Sequence, residues 1–175
     1  MSEFVELLQR PVGLAEVDET AGTLVGNARL KAQAVCAATG MPALADDTGL
    51  EIDALDGAPG VRSARYAGPE SDDAANRHKL LAQLDGIAAE QRTARFRTVA
   101  LMTWPDGREL IAEGICEGQI ADRERGQRGF GYDSLFIADE GDGRTFAEMS
   151  LEDKQHLSHR GKAIRALTEL LLPTS

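Results

Sequence analysis

The sequence predicts an α/β fold, a long central mixed β-sheet flanked by helices. Segments of strand and helix character interleave along the chain. The clearest β signal is a pair of long stretches, residues 95–104 and 109–120, split by Pro105-Asp106-Gly107, which reads as an antiparallel hairpin. The clearest helix is the tail, residues 158–172, with Ala163, Ile164, Leu167, Leu170 and Leu171 on one side. Interleaving combined with an antiparallel hairpin points to a mixed sheet.

The elements follow in order. Residues 3–8 have helical character, stopped near Pro11. Residues 27–38 are rich in Ala, Leu and Lys and end at Gly40, a helix with a glycine stop. Ala43-Leu44-Ala45 is a short apolar strand running into Asp46-Asp47-Thr48-Gly49, which has turn chemistry. A strand with alternating faces resumes at 50–53, and Gly57-Ala58-Pro59-Gly60 is a loop. Residues 72–84 suit a helix whose acidic first turn complements the helix dipole. After the hairpin, glycines and charges fill 122–131, Leu135-Phe136-Ile137 is a short strand, and the amphipathic tail closes the chain. There is no repeat or low-complexity stretch, and residues 1–175 read as a single domain.

Composition excludes several classes. With 175 residues, 42% hydrophobic and 27% charged, the chain is long enough to bury one core. A net charge of −10 argues against stable binding to nucleic acid and makes any local basic cluster informative. The two cysteines, Cys36 and Cys116, form no CxxC pair, so reduced buried thiols in a cytoplasmic protein are expected, not a disulfide framework or a zinc site. No apolar run approaches the roughly 18 residues of a membrane span, and the first residues lack the basic and apolar regions of a secretion signal.

Four segments hold residue types that carry chemistry. Asp46-Asp47 places two carboxylates side by side; a hard cation such as magnesium relieves their repulsion, although taken alone a solvated Asx turn is the simpler explanation. Asp18-Glu19 precedes the helix that bears Asn27 and Lys31, as metal ligands or as ordinary capping acids. In Gly129-Phe130-Gly131-Tyr132-Asp133 the glycines let backbone approach a flat ligand. Phe130 or Tyr132 can then stack on a base and Asp133 can accept from ring N–H groups, unless an aromatic simply plugs the core. Lys154 and Ser158-His159-Arg160-Gly161 put basic groups at the start of the last helix, where the dipole disfavours them and an external anion would justify them, with a solvated basic edge as the equal alternative. His159 alone is equally a core histidine. Together these segments supply acid for a metal, base for phosphates and a ring for a purine.

Those residues resemble the inosine triphosphate pyrophosphatase family, the dITP/XTP pyrophosphatases. The matching blocks are Asp18-Glu19-Thr20, Asn27-Ala28-Arg29-Leu30-Lys31-Ala32, residues 42–50, Gly57-Ala58-Pro59-Gly60, Ser63-Ala64-Arg65-Tyr66, residues 129–133, Lys154 and residues 158–161. They run in order from about residue 16 to residue 172. The resemblance implies two lobes with the active site in the cleft between them, a homodimer, and magnesium-dependent cleavage of ITP, dITP and XTP to monophosphate and pyrophosphate. By position it makes Glu19 and Asp47 the magnesium ligands and Asp47 also the general base, with Thr48 keeping a hydroxyl where the family has Ser. Lys31 and Lys154 would meet phosphates and Phe130 would stack on the base. Gly131, Tyr132 and Asp133, with His159 and Arg160, would read the 6-oxo purine edge, so that adenine leaves polar groups unpaired.

One departure stands out. The family opens with a strand and a Thr/Ser-x-Asn-x-x-Lys phosphate turn, whereas Met1-Ser2-Glu3-Phe4-Val5-Glu6-Leu7-Leu8 looks like the following helix alone. The expectation is that Met1 is an internal methionine of a longer product, which the genomic DNA upstream of its codon tests. The competing expectation is a truncated, non-catalytic remnant that binds nucleotide or dimerises. Arg123, Arg125 and Arg128, crowded before Phe130, are expected to line a solvated loop.

Overall fold

The computed structural model describes residues 6–70 and 72–172. It is an α/β fold with a five-stranded sheet in the order β2-β1-β3-β4-β5. The strands are β1 (Ala43–Ile52), β2 (Pro59–Gly60), β3 (Thr93–Thr103), β4 (Glu109–Ile120) and β5 (Phe136–Ala138). The helices are α1 (Leu24–Thr39), α2 (Asp73–Gln83), α3 (Leu151–Leu157) and α4 (His159–Leu171). Every pairing among these strands is antiparallel, so the described residues contain no parallel component of the expected mixed sheet. The outer edge of β1 pairs with β2 only at Leu50 and Glu51.

The hairpin is as expected: β3 and β4 pair from Thr93↔Gln119 to Thr103↔Glu109, and Gly107 (φ 86°) makes the turn. The expected turn at Asp46–Gly49 does not form. Those residues continue β1, paired in register with β3 from Asp46↔Ala100 to Gly49↔Arg97. Turn propensity is a local preference, and ten consecutive pairings with β3 override it. Of the expected helix at 3–8, residues 3–5 lie outside the described residues and 6–8 have no regular structure. Lys154 does not start the last helix as expected; it lies on α3, separated from α4 by Ser158.

α1 begins at Thr23, whose hydroxyl accepts from the Gly26 N–H, and ends at Gly40 with φ 67°. Ala28 and Ala32, one turn apart and fully buried, give it a flat face against Val99 and Leu101 of β3. α4 covers the opposite face, with Ala163 and Leu167 against Ala100 and Ala112; Leu170, expected on the buried side, is 56% exposed. Gly114 of β4 permits this contact, because a Cβ there would stand 2.1 Å from the His159 carbonyl oxygen.

The other end of the sheet has a separate, larger core of Leu50, Ile52, Leu80, Phe96, Tyr132, Phe136, Phe146 and their neighbours. Phe136 and Phe146 are almost wholly buried, each contributing roughly 1.5–3 kcal/mol. On the far face here Arg95 pairs with Asp53 and Glu117, and Arg97 with Glu113, a half-exposed ladder explaining the polar alternation of β3. A cleft opens where this core meets α3 and α4.

Candidate active site

Pleating of β1 sends neighbouring carboxylates to opposite faces. Asp47 points to the α1 face and is 7% exposed. Its Oδ1 accepts from Lys31 Nζ at 2.7 Å and its Oδ2 from Asn27 Nδ2 at 3.2 Å. Asn27 and Lys31 are one helical turn apart on α1, so a single helix face delivers both. The Lys31 ammonium also donates to Glu19 Oε1 at 2.8 Å, and Arg65 Nη1 lies 3.5 Å from Glu19 Oε2.

The three charges shift one another. Burial raises the Asp47 carboxyl, and Glu19 adds to this; Lys31 and Asn27 pull against it without cancelling the rise. Burial also acts upward on Glu19, but the hydrogen bond and charge of Lys31 outweigh it and hold this carboxyl below the usual glutamate value. Lys31 stays protonated, because its two carboxylate partners overcome its desolvation.

The opposite face of β1 looks into a cleft of about 590 Å³. Thr48 lines it and its hydroxyl lies 2.7 Å from that of Thr98, a fully buried residue directly across on β3. Asp46, on the same face, accepts from Arg160 Nε at 2.9 Å. Phe130 is 66% exposed and borders the cleft, with Lys154 Nζ 5.3 Å and the Arg160 guanidinium carbon 5.8 Å from its ring centre. Asp133 Oδ2 accepts from the Phe130 N–H at 2.9 Å and also holds Lys154.

His159 forms the cleft wall. Its ring stacks 4.4 Å from Phe96, and its Nδ1 is buried with no hydrogen-bond partner. Burial, with help from the charges of Arg160 and Lys154, pushes its pKa down to about 3, so the imidazole is neutral near pH 7. Such a ring can donate from one nitrogen and accept at the other.

The structure therefore brings Glu19, Asp47 and Lys31 into one cluster, and Thr48, Phe130, Asp133, Lys154, His159 and Arg160 into one cleft. Gly131 also borders the cleft, by its backbone. Tyr132 is mostly in the core instead: it is 4% exposed and donates to the Ser63 carbonyl, which leaves Phe130 as the available ring. Lys154, expected at phosphates, is held here by Asp133 beside Phe130. Arg125 and Arg128 brace their loop through the Gly143 and Met149 carbonyls, while Arg123 is exposed beside Asp122. Sequence reasoning gave no role to Thr98 or Arg65. Thr98 had a faint signal, a hydroxyl in the middle of an apolar strand; Arg65 had none beyond its place in a matching block.

Glu19 and Asp47 suit a hard divalent cation. Their oxygens already converge on one positive centre, the Lys31 ammonium, and magnesium is commonly held by one or two carboxylates with water and substrate phosphates completing its shell. Among the described residues no group of three or more His, Cys, Asp or Glu side chains is placed to hold a metal.

Comparison with known proteins finds a matching family and close relatives. The model of the Ham1 family matches residues 1–170. The dITP/XTP pyrophosphatase of Desulforamulus reducens is 52% identical over 159 residues, 91% of this chain and 79% of that protein. The dITP/XTP pyrophosphatase of Haemophilus influenzae is 49% identical over 170 residues, 96% of this chain and 87% of that protein. Among solved structures, a HAM1 protein from Coxiella burnetii superposes with a TM-score of 0.83 at 41% identity, covering 90% of this chain and 81% of that one.

Proposed function

The chain belongs to the Ham1 family, and we propose that it hydrolyses ITP, dITP and XTP to the monophosphate and pyrophosphate, clearing deaminated purines from the nucleotide pool. The observation that carries this reading is the pair of carboxylates, Glu19 and Asp47, meeting at one cation position on β1. The other face of that strand borders a cleft with an exposed aromatic ring between two cationic side chains.

In this reading Glu19 and Asp47 hold magnesium, which neutralises triphosphate charge when bound. Lys31 grips phosphate oxygens. Water bonds to the α-phosphorus, the bond to the bridging oxygen breaks, and pyrophosphate leaves with that oxygen. Asp47 takes the proton of the water. Phe130 stacks on the base. The neutral His159 ring, with its unpartnered Nδ1, and the Arg160 guanidinium read the 6-oxo edge. An adenine amino group offers the wrong hydrogen-bonding pattern there and leaves buried groups unpaired. Thr48 and the backbone around Gly131, Tyr132 and Asp133 complete the contact surface.

The reading includes a homodimer in the cytoplasm. Two buried free thiols, Cys36 and Cys116, support a reducing compartment. No described helix is long and apolar enough to cross a membrane. Sedimentation of the purified chain, 18.8 kDa as a monomer, tests the dimer. The decisive test of function is pyrophosphate release with magnesium from ITP, dITP and XTP beside GTP, ATP and dUTP at equal concentration. Preference for the first three is expected, and no release from any of them overturns the assignment.

A further inference from the structure

Phe130 is assigned the base contact, yet its ring is 66% exposed, so packing against the core does not place it. Its placement begins with the backbone that carries it. The next residue, Gly131, gives both of its main-chain groups to α2: its N–H donates to Asp73 Oδ2 at 2.7 Å and its carbonyl accepts from Arg77 Nη1 at 2.9 Å. Asp73 and Arg77 are four residues apart, on successive turns of one helix face. Gly131 has φ 58°, a left-handed conformation that aims its peptide groups away from the local chain and toward the helix.

The helix is equipped to act as a fixed support. Asp72, rather than Asp73, caps it by accepting from the Ala74 and Ala75 N–H groups, which leaves the Asp73 carboxylate for the loop. Buried Asn76 ties α2 to the preceding segment through the Ala67 N–H and the Ala64 carbonyl. Arg77 is itself held, its Nε donating to Glu124 Oε2 at 2.9 Å.

We propose that Asp73 and Arg77 are positioning residues for nucleobase recognition, a two-point clamp on Gly131 that fixes the backbone from which the Phe130 side chain projects before substrate arrives. The assignment rests on the nucleotide reading above. A ring held in its stacking orientation spares the complex the entropy of ordering it, so the clamp acts on affinity and not on the chemical step.

The test uses Asp73→Ala, Arg77→Met and Asp73→Asn, the last of which keeps an acceptor for the Gly131 N–H. With ITP, KM is expected to rise about tenfold in Asp73→Ala, in the range of a lost stacking contact, with kcat within about twofold. Arg77→Met is expected to move KM in the same direction, and Asp73→Asn to stay near the unmodified chain. In a Phe130→Ala background Asp73→Ala should change KM by less than about twofold, because the ring it positions is gone. Unchanged KM in Asp73→Ala, or a full change that persists without the Phe130 ring, overturns the clamp alone. No pyrophosphate release from the unmodified chain overturns the reading of the site and the clamp with it.

Discussion

Asp46 and Asp47 are adjacent in the chain and serve opposite faces of β1: Asp46 accepts from Arg160 of α4 at 2.9 Å, and Asp47 from Lys31 of α1 at 2.7 Å. One strand thus joins the Glu19–Lys31–Asp47 cluster to the cleft bordered by Phe130. The alternation makes the two carboxylates chemically unequal, because only Asp47 shares its counter-charge with a second acid, Glu19.

Asp47→Asn is expected to lower kcat for pyrophosphate release by at least about a hundredfold, since on the proposed function it removes a metal ligand and the proton acceptor together. Asp46→Asn is expected to raise KM several-fold with a smaller effect on kcat, because it loosens Arg160 only. Steady-state kinetics on both variants checks the contrast, and equal losses of kcat would refute it.

Metal removal should separate binding from turnover. Excess chelator is expected to abolish pyrophosphate release and added magnesium to restore it. Lys31→Met leaves Glu19 and Asp47 opposed without their shared cation, and should cost about 1–3 kcal/mol in stability. Magnesium should therefore raise the Tm of Lys31→Met more than that of the unmodified chain. Equal shifts in the two would argue that the ion does not bind between these carboxylates.

His159 supplies a pH signature. Its folded pKa of about 3 lies below the ordinary histidine value of 6.5, so between those limits the unfolded chain binds the extra proton and stability falls as pH falls. At pH 5 the contribution is about 2 kcal/mol relative to pH 7. Thermal melts from pH 7 to pH 5 should show a shallower loss in His159→Phe, which keeps a ring against Phe96, and parallel curves would count against a buried neutral imidazole.

Gly114→Ala tests how α4 is seated. Its Cβ would stand 2.1 Å from the His159 carbonyl and 2.3 Å from the Ala163 nitrogen, both backbone atoms. We expect a loss of about 1–3 kcal/mol, typical of overpacking. A higher KM should accompany it, because the displaced turn carries His159 and Arg160. Melts and kinetics on the variant check both effects.

Particular elements mark what could be read in advance. The β3–β4 hairpin, the Gly40 stop of α1 and the acidic start of α2 were legible because local chemistry and hydrophobic period agree there. The matching blocks located Glu19, Asp47, Phe130 and His159 individually. The stretch Asp46-Asp47-Thr48-Gly49 misled, because its turn propensity is local while its extended form is enforced by β3, some fifty residues later. For the same reason the Thr48–Thr98 hydroxyl pair and the Asp73–Gly131–Arg77 clamp had no signature in sequence.

The sequence by itself determined the β3–β4 hairpin, the helices α1, α2 and α4, and the inventory of acids, bases and rings from which a nucleotide site can be built. The tertiary structure decided which of them meet. Strand pleating split two neighbouring aspartates between faces, one helical turn carried Asn27 and Lys31 to the same carboxylate, and burial turned His159 from a potential cation into a neutral wall of the cleft. Charge state and contact depend on distance and solvent exposure, and both are set only when segments remote in sequence pack together.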